Sequence, residues 1–172
     1  MVHRVMIIGI DPGVGGAIAW QKNGDSFPQV INMPGTQLDI LNQLREIKTT
    51  EESCECIIEE VHCFPGEAVQ TAWVFSGNYH SLKMALLAAG IRFKEVSPQC
   101  WQKALKLISK SVPRAKNGSS IEEKKKVQAQ RAKNYQQHKR DLKERAQQLF
   151  PDVKVTLKNA DALLILEYAK SQ

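Results

Sequence analysis

The sequence predicts a mixed α/β fold, a five-stranded sheet with helices on both faces. Three observations carry that expectation. Val5 to Ile10 and Ala17 to Trp20 are short apolar runs on either side of Pro12-Gly13-Val14-Gly15-Gly16, the pattern of an antiparallel pair joined by a tight turn. Two later apolar runs, Cys56 to Val61 and Ile91 to Val96, alternate with helical patterns. Beyond Val96 only helices follow, so a meander is succeeded by α/β units.

The first strand ends in a carboxylate, Asp11, beside glycines that leave room for a large ligand. Such a carboxylate is costly to bury unless it holds a metal or another partner. Two other readings exist: an Asx-type turn, or the phosphate-binding turn with which the actin and sugar-kinase superfamily opens. Gln29 to Met33 is the third strand, closed off by Gly35. Leu38, Leu41, Leu44 and Ile47 recur at helical spacing and place an amphipathic helix over Thr36 to Lys48. Glu51 to Glu55 reads as a polar loop. The fourth strand, Cys56-Ile57-Ile58-Glu59-Glu60-Val61, again ends in acids.

His62 to Glu67 carries Pro65-Gly66 and reads as a loop, and around Gly77 the chain is rich in aromatics, with Phe64, Trp73, Phe75 and Tyr79. A helix is expected from Ser81 to Ala89, stopped by Gly90. After the fifth strand, Ser97 caps a helix with Pro98 in its first turn, running to Leu107. Val112 to Ser120, with Pro113 and Gly118, is expected to be mobile. Ile121 to Gln136 has almost no apolar residues, so it is an exposed helix or a segment that folds on a partner. Leu142, Ala146 and Leu149 restore a core-facing helix, ended by Phe150-Pro151. The last helix, Asn159 to Lys170, turns Ala160, Leu163, Leu164 and Tyr168 inward and carries Asp161 in its first turn.

At 172 residues the chain is expected to form a single domain, 1–172, with a basic insertion at about 109–137. No apolar run approaches a membrane span, and the first strand begins too early for a signal or transit peptide. Cys54, Cys56, Cys63 and Cys100 form no CxxC pair, so zinc is not expected and reduced thiols in a cytoplasmic protein are. The net charge is +6. Between Lys110 and Arg145 stand twelve basic and four acidic residues, a surplus of +8, which leaves −2 for the remainder. A basic limb on a near-neutral body points to a polyanionic partner, although a solvated charged helix looks the same.

Asp11 ends the first strand, Glu59 ends the fourth, and Asp161 starts the last helix. They converge only if the first and fourth strands are neighbours and the helix crosses them. Their repulsion would then call for hard divalent cations, and a pair of these suits phosphoryl displacement. Taken singly, each acid has an ordinary structural role open to it, such as a helix N-terminal charge for Asp161.

The segments Ile8-Gly9-Ile10-Asp11-Pro12-Gly13, Ile57-Ile58-Glu59-Glu60-Val61 and Ala160-Asp161-Ala162-Leu163-Leu164 resemble the RuvC-type Holliday junction resolvases, which have an RNase H-like fold. The phage-encoded and chloroplast branches are the most similar. That likeness rests on Phe75-Ser76-Gly77-Asn78-Tyr79, on Ser97-Pro98-Gln99-Cys100-Trp101-Gln102-Lys103, and on Lys139 followed by Ala146-Gln147-Gln148-Leu149-Phe150-Pro151.

The resemblance implies that Asp11 bridges two Mg²⁺ ions (or Mn²⁺ in their place), with Glu59 and Asp161 completing the ligands and Lys139 near the scissile phosphate. A second basic position of the family falls on Gln102, with Lys103 beside it. The junction-probing loop falls on His62 to Tyr79, so Phe64, Phe75 and Tyr79 are candidates to stack on bases. Lys143 and Lys158 join them as candidate DNA contacts. Leu157 and Lys158 stand where the family has a further Asp or His, so one metal loses a ligand, a gap that the charge of Lys158 or a water would fill.

The expected activity is metal-dependent, symmetric cleavage of a four-way DNA junction by a homodimer, with no membrane partner and no nucleotide cofactor. The small-faced helix from Ser81 to Ala89 is the candidate dimer surface, although ordinary packing on the sheet explains it as well. The first alternative is a junction-binding protein without catalysis. The second is an actin-like ATPase, which needs a second phosphate-binding turn and a longer chain.

Overall fold

The computed structural model describes residues 5–48, 53–62, 68–108, 113, 118 and 120–172. Five strands form one sheet: β1 (Val5–Asp11), β2 (Ala17–Lys22), β3 (Gln29–Asn32), β4 (Ser53–Glu59) and β5 (Arg92–Val96), in the spatial order β3-β2-β1-β4-β5. The first three are antiparallel, as an apolar meander requires. β4 and β5 add in parallel on the other side of β1. Ile10 pairs with Ile58, so Asp11 and Glu59 are the next residues along two adjacent parallel strands.

Helices cover both faces. On one face, α1 (Gln37–Ile47) and α2 (Val69–Ala88) bury Leu44, Ile47, Tyr79, Leu82 and Leu86 against Met6, Ile8, Ile10, Ile18 and Ile58. On the other, α3 (Pro98–Ala104), α4 (Ile121–Leu149) and α5 (Ala160–Lys170) pack Trp101, Leu142, Ala146 and Leu163 to Leu166 against Ala17, Ala19 and Ile57. Strand alternation explains the division: Ile58 and Ile57 are neighbours in sequence and serve opposite cores. Cys54 and Cys56 are buried free thiols, and burial pushes the Cys56 thiol up, which suits inert packing.

Four elements differ from the sequence reading. β4 begins at Ser53, inside the expected polar loop, because Ser53, Cys54, Glu55 and Cys56 alternate exposed and buried. α2 begins at Val69, so the aromatic segment before Ser81 is helical. α3 stops at Ala104. The basic stretch and the core-facing helix are one 29-residue helix, α4, opened by a capping box between Ser120 and Glu123. Most of 109–119 and the segment 63–67 with Phe64 lie outside the described residues. Among the described residues, no helix is long and apolar enough to cross a membrane.

Candidate metal and DNA site

The site lies on the face covered by α3, α4 and α5. Residues 7, 9 and 11 share that face of β1, and position 9 is glycine. A Cβ on Gly9 would lie 2.3 Å from Leu166 N and 2.7 Å from Ala162 O. The missing side chain therefore lets the α5 backbone rest directly on β1, which brings the start of α5, with Asp161, down to the strand end. Gly16 acts similarly beyond the turn, where a Cβ would meet Asp11 O at 2.1 Å. The turn closes through Gly16 N–H donating to Gly13 O at 3.0 Å.

Asp11, Glu59 and Asp161 thus come from three elements to one place, and each feels the others' charge. Burial, then repulsion from Asp161 and Glu59, pushes the Asp11 carboxyl up to about 8, against a smaller pull from Lys139. Burial likewise pushes Glu59 up to about 7, with Asp161 adding to the rise. The indole N–H of Trp101, donated to Glu59 Oε2 at 2.7 Å, and the charge of Lys139 oppose it. Lys139 pairs with Asp161 Oδ2. Burial lowers the Lys139 ammonium, but Asp161, Asp11 and Tyr135 outweigh it and hold the group above its ordinary value.

The donor set suits a hard divalent cation in kind. All donors are carboxylate oxygens, and Asp161 Oδ1 is buried without a hydrogen-bond partner. The set is not closed around an ion: among the described residues, no three His, Cys, Asp or Glu side chains are grouped to hold one as they stand. Among the described residues, Lys139 is the cation that acts on both Asp11 and Glu59, and it is bonded to the third acid. The expected three-ligand set is therefore brought together as an anionic cluster rather than as a finished metal cage.

The candidate DNA contacts divide. Phe75 is partly exposed and lies against the turn after Asp11, with its Cε2 3.4 Å from where a Gly13 Cβ would be. Lys103, Lys143 and Lys158 are exposed. The side chain of Lys158 is on the surface, and its backbone N–H donates to Thr156 Oγ1 at 3.3 Å. The charges that act on Asp11 and Glu59 are those of Lys139 and the neighbouring acids.

One expectation, for Tyr79, is corrected. Tyr79 is 5% exposed and donates its hydroxyl to Glu95 Oε2 at 2.5 Å, with Lys83 on the other Glu95 oxygen. Helical spacing with Leu82 and Leu86 turns it into the core, where it cannot stack on bases. Gln102 is half-buried, and its Oε1 faces His138 Nε2 at 3.2 Å, so its side chain is directed to α4.

Trp101, His138 and Tyr135 had no role in the sequence reading. The signal for Trp101 was available: a tryptophan in a seven-residue helix directly after a strand must find an acceptor for its N–H if it is buried. Tyr135 sits one turn before Lys139, 57% exposed, with the ammonium 6.0 Å from its ring centre.

No family model matches the sequence, and no curated protein sequence matches it either. Solved structures do match the fold. Thermus thermophilus RuvC in complex with Holliday junction substrate is 12% identical with a TM-score of 0.53, and the match covers 95% of this chain and 91% of that one. A second Thermus thermophilus RuvC structure is 14% identical with a TM-score of 0.50, over 95% of this chain and 92% of that one. At such identities the likeness is one of fold, and the chain has the mixed five-stranded α/β fold of RuvC and the RNase H-like proteins.

Proposed function

We propose that the protein is a divalent-metal-dependent endonuclease that resolves four-way DNA junctions by paired, symmetric hydrolysis. The observation that carries this reading is the anionic cluster itself: Asp11, Glu59 and Asp161, from β1, β4 and α5, share one face with a single lysine, Lys139, among them. A fold shared with a protein whose structure holds a Holliday junction supports the same choice of substrate. The motif likeness of Ser97 to Lys103 favours the phage and chloroplast branches.

Asp11, Glu59 and Asp161 would hold Mg²⁺ or Mn²⁺, and such ions supply Lewis acidity for phosphodiester hydrolysis to a 5′ phosphate and a 3′ hydroxyl. Asp11 feels the charge of both other acids and would be one of the ligands. Trp101 holds one oxygen of Glu59 and leaves the other free to coordinate. Lys139, poised on Asp161, offers a positive charge to a phosphate placed over the cluster. Phe75, at the rim of the Asp11 turn, offers a stacking face for an unpaired base. Symmetric cutting takes two such sites. The exposed Val69, Trp73, Met84 and Leu87 recur along α2 and support a second copy as the partner.

A mobile four-way junction, mapped at nucleotide resolution with Mg²⁺ and with chelator, tests the reading. Paired symmetric cuts that need the metal are expected. Tight junction binding with no cut in Mg²⁺ or Mn²⁺ would favour a binding protein instead, a reading that the Lys139–Asp161 pair supports by occupying a ligand oxygen.

A further inference from the structure

Three consecutive side chains of α3 reach three different elements. Cys100 Sγ meets the Tyr168 hydroxyl of α5 at 3.6 Å. Trp101, fully buried, donates to Glu59 at the end of β4 at 2.7 Å. Gln102 Oε1 accepts from His138 Nε2 of α4 at 3.2 Å. Successive helical residues diverge by about 100°, so one short helix wedged among three elements can address all of them. Those elements carry the site: α5 supplies Asp161, β4 supplies Glu59, and α4 supplies Lys139, the residue after His138.

We propose that α3 is the positioning strut of the site: Trp101 fixes the Glu59 carboxylate, and Gln102, through His138, fixes the adjacent Lys139 against Asp161. The proposal rests on the nuclease reading and assigns within it residues that touch no reacting atom. A carboxylate on a strand end has rotamer freedom, and Glu59 is also pushed away by Asp161. A buried indole cannot follow it, so the 2.7 Å bond holds Glu59 in one orientation. Lys139 sits where the exposed half of α4 begins, one turn before the first buried residue, Leu142. Its lateral position depends on a tie at that level, and the Gln102–His138 bond is placed there. Gln102 is thus a positioning residue rather than a phosphate contact.

The test uses the full chain. Trp101→Phe keeps a ring in the core and removes the N–H. We expect it to leave junction affinity unchanged, to slow single-turnover cleavage by about 10–100-fold, and to weaken Mn²⁺ binding to the DNA-free protein, followed by electron paramagnetic resonance, by a similar factor. Gln102→Ala and His138→Ala should each slow cleavage without changing the salt dependence of junction binding. Their double variant should be no slower than either, because both remove one bond. His138→Gln, which can still donate to Gln102, should recover most of the rate.

Unchanged Mn²⁺ affinity and cleavage in Trp101→Phe would overturn the strut. So would a reduced salt slope in Gln102→Ala, which would make Gln102 a phosphate contact. A wild-type protein that neither binds Mn²⁺ nor cuts junctions would overturn the nuclease reading and the strut with it, an outcome distinct from a wild type that does both and variants that match it.

Discussion

The two faces of the sheet are built from the same strands and behave as opposites. Toward α1 and α2 the central strands present Met6, Ile8, Ile10 and Ile58, a closed apolar layer. Toward α5 the strand ends present Asp11 and Glu59, and the middle of β1 presents only Gly9. One face spends its side chains on filling volume. The other removes a side chain so that a helix can approach, and places charge where it arrives. Both faces therefore carry a packed core, and the chemistry belongs to the second alone.

Asp11→Asn and Asp161→Asn should separate the two most sharply. Each should abolish junction cleavage while binding, carried by phosphate contacts, persists. Because Asp11→Asn removes a buried, repelled carboxylate, its melting temperature should equal or exceed that of the wild type. A fully active variant would remove that acid from the site.

Gly9→Ala should erase the separation. The added methyl meets α5 backbone atoms, which cannot turn aside as a flexible side chain can. A loss of about 3 kcal/mol or more in denaturant unfolding is expected, together with loss of cleavage as Asp161 is displaced. Wild-type stability in Gly9→Ala would mean that α5 does not need this contact.

The third test is pH. Folding raises the carboxyls of Asp11, from an ordinary 3.8 to about 8, and Glu59, from 4.5 to about 7. The folded protein therefore holds protons that the unfolded chain has released, and stability falls as pH rises. The contribution is fully present below about pH 4 and gone above about pH 8. Glu95 shifts the other way, but its effect lies below its ordinary 4.5. In metal-free buffer the melting temperature should drop by roughly 5–10 °C from pH 5 to pH 8, and Asp11→Asn should flatten the drop. A rising melting temperature over that interval would contradict the buried, mutually repelled acids.

The smallest effect belongs to the apolar face. Ile8→Val should cost about 0.5–1.5 kcal/mol, a few degrees of melting temperature, with cleavage per folded molecule unchanged. A selective loss of cleavage would show that the two faces are coupled through β1.

The strands and the three acids were legible in the sequence because both rest on local rules: apolar runs mark the strands, and an acid at the end of such a run is placed by it. The start of α2 was not. Val69, Trp73 and Val74 are apolar and exposed, so the segment lacks the polar outer face that marks a helix, and Gly77 interrupts it. The same misreading moved Tyr79 from the core to the DNA. The unity of α4 was partly readable: Ser120 and Glu123 have the spacing of a capping box, but a stretch without a core face gives periodicity nothing to report. That Trp101 needs an acceptor was readable, but the partners that α3 reaches were not. Nothing in Cys100-Trp101-Gln102 says that three distant partners wait around it, because those partners come from β4, α4 and α5 and meet only after folding.

α4 is, in mechanical terms, a cantilever. Its clamp is the buried pair Leu142 and Ala146, and its free span runs from Ile121 to His138, about 27 Å at the usual rise. Reach and facing along such a beam can be altered separately. Deleting seven residues from the free span withdraws the tip by about 10 Å and turns it by only about 20°, whereas deleting five withdraws it by about 7.5 Å and turns it by about 140°. Lys124, Lys125 and Lys126 near the tip would keep their side in the first case and lose it in the second. If those lysines meet a duplex arm, affinity should survive the longer deletion better than the shorter one.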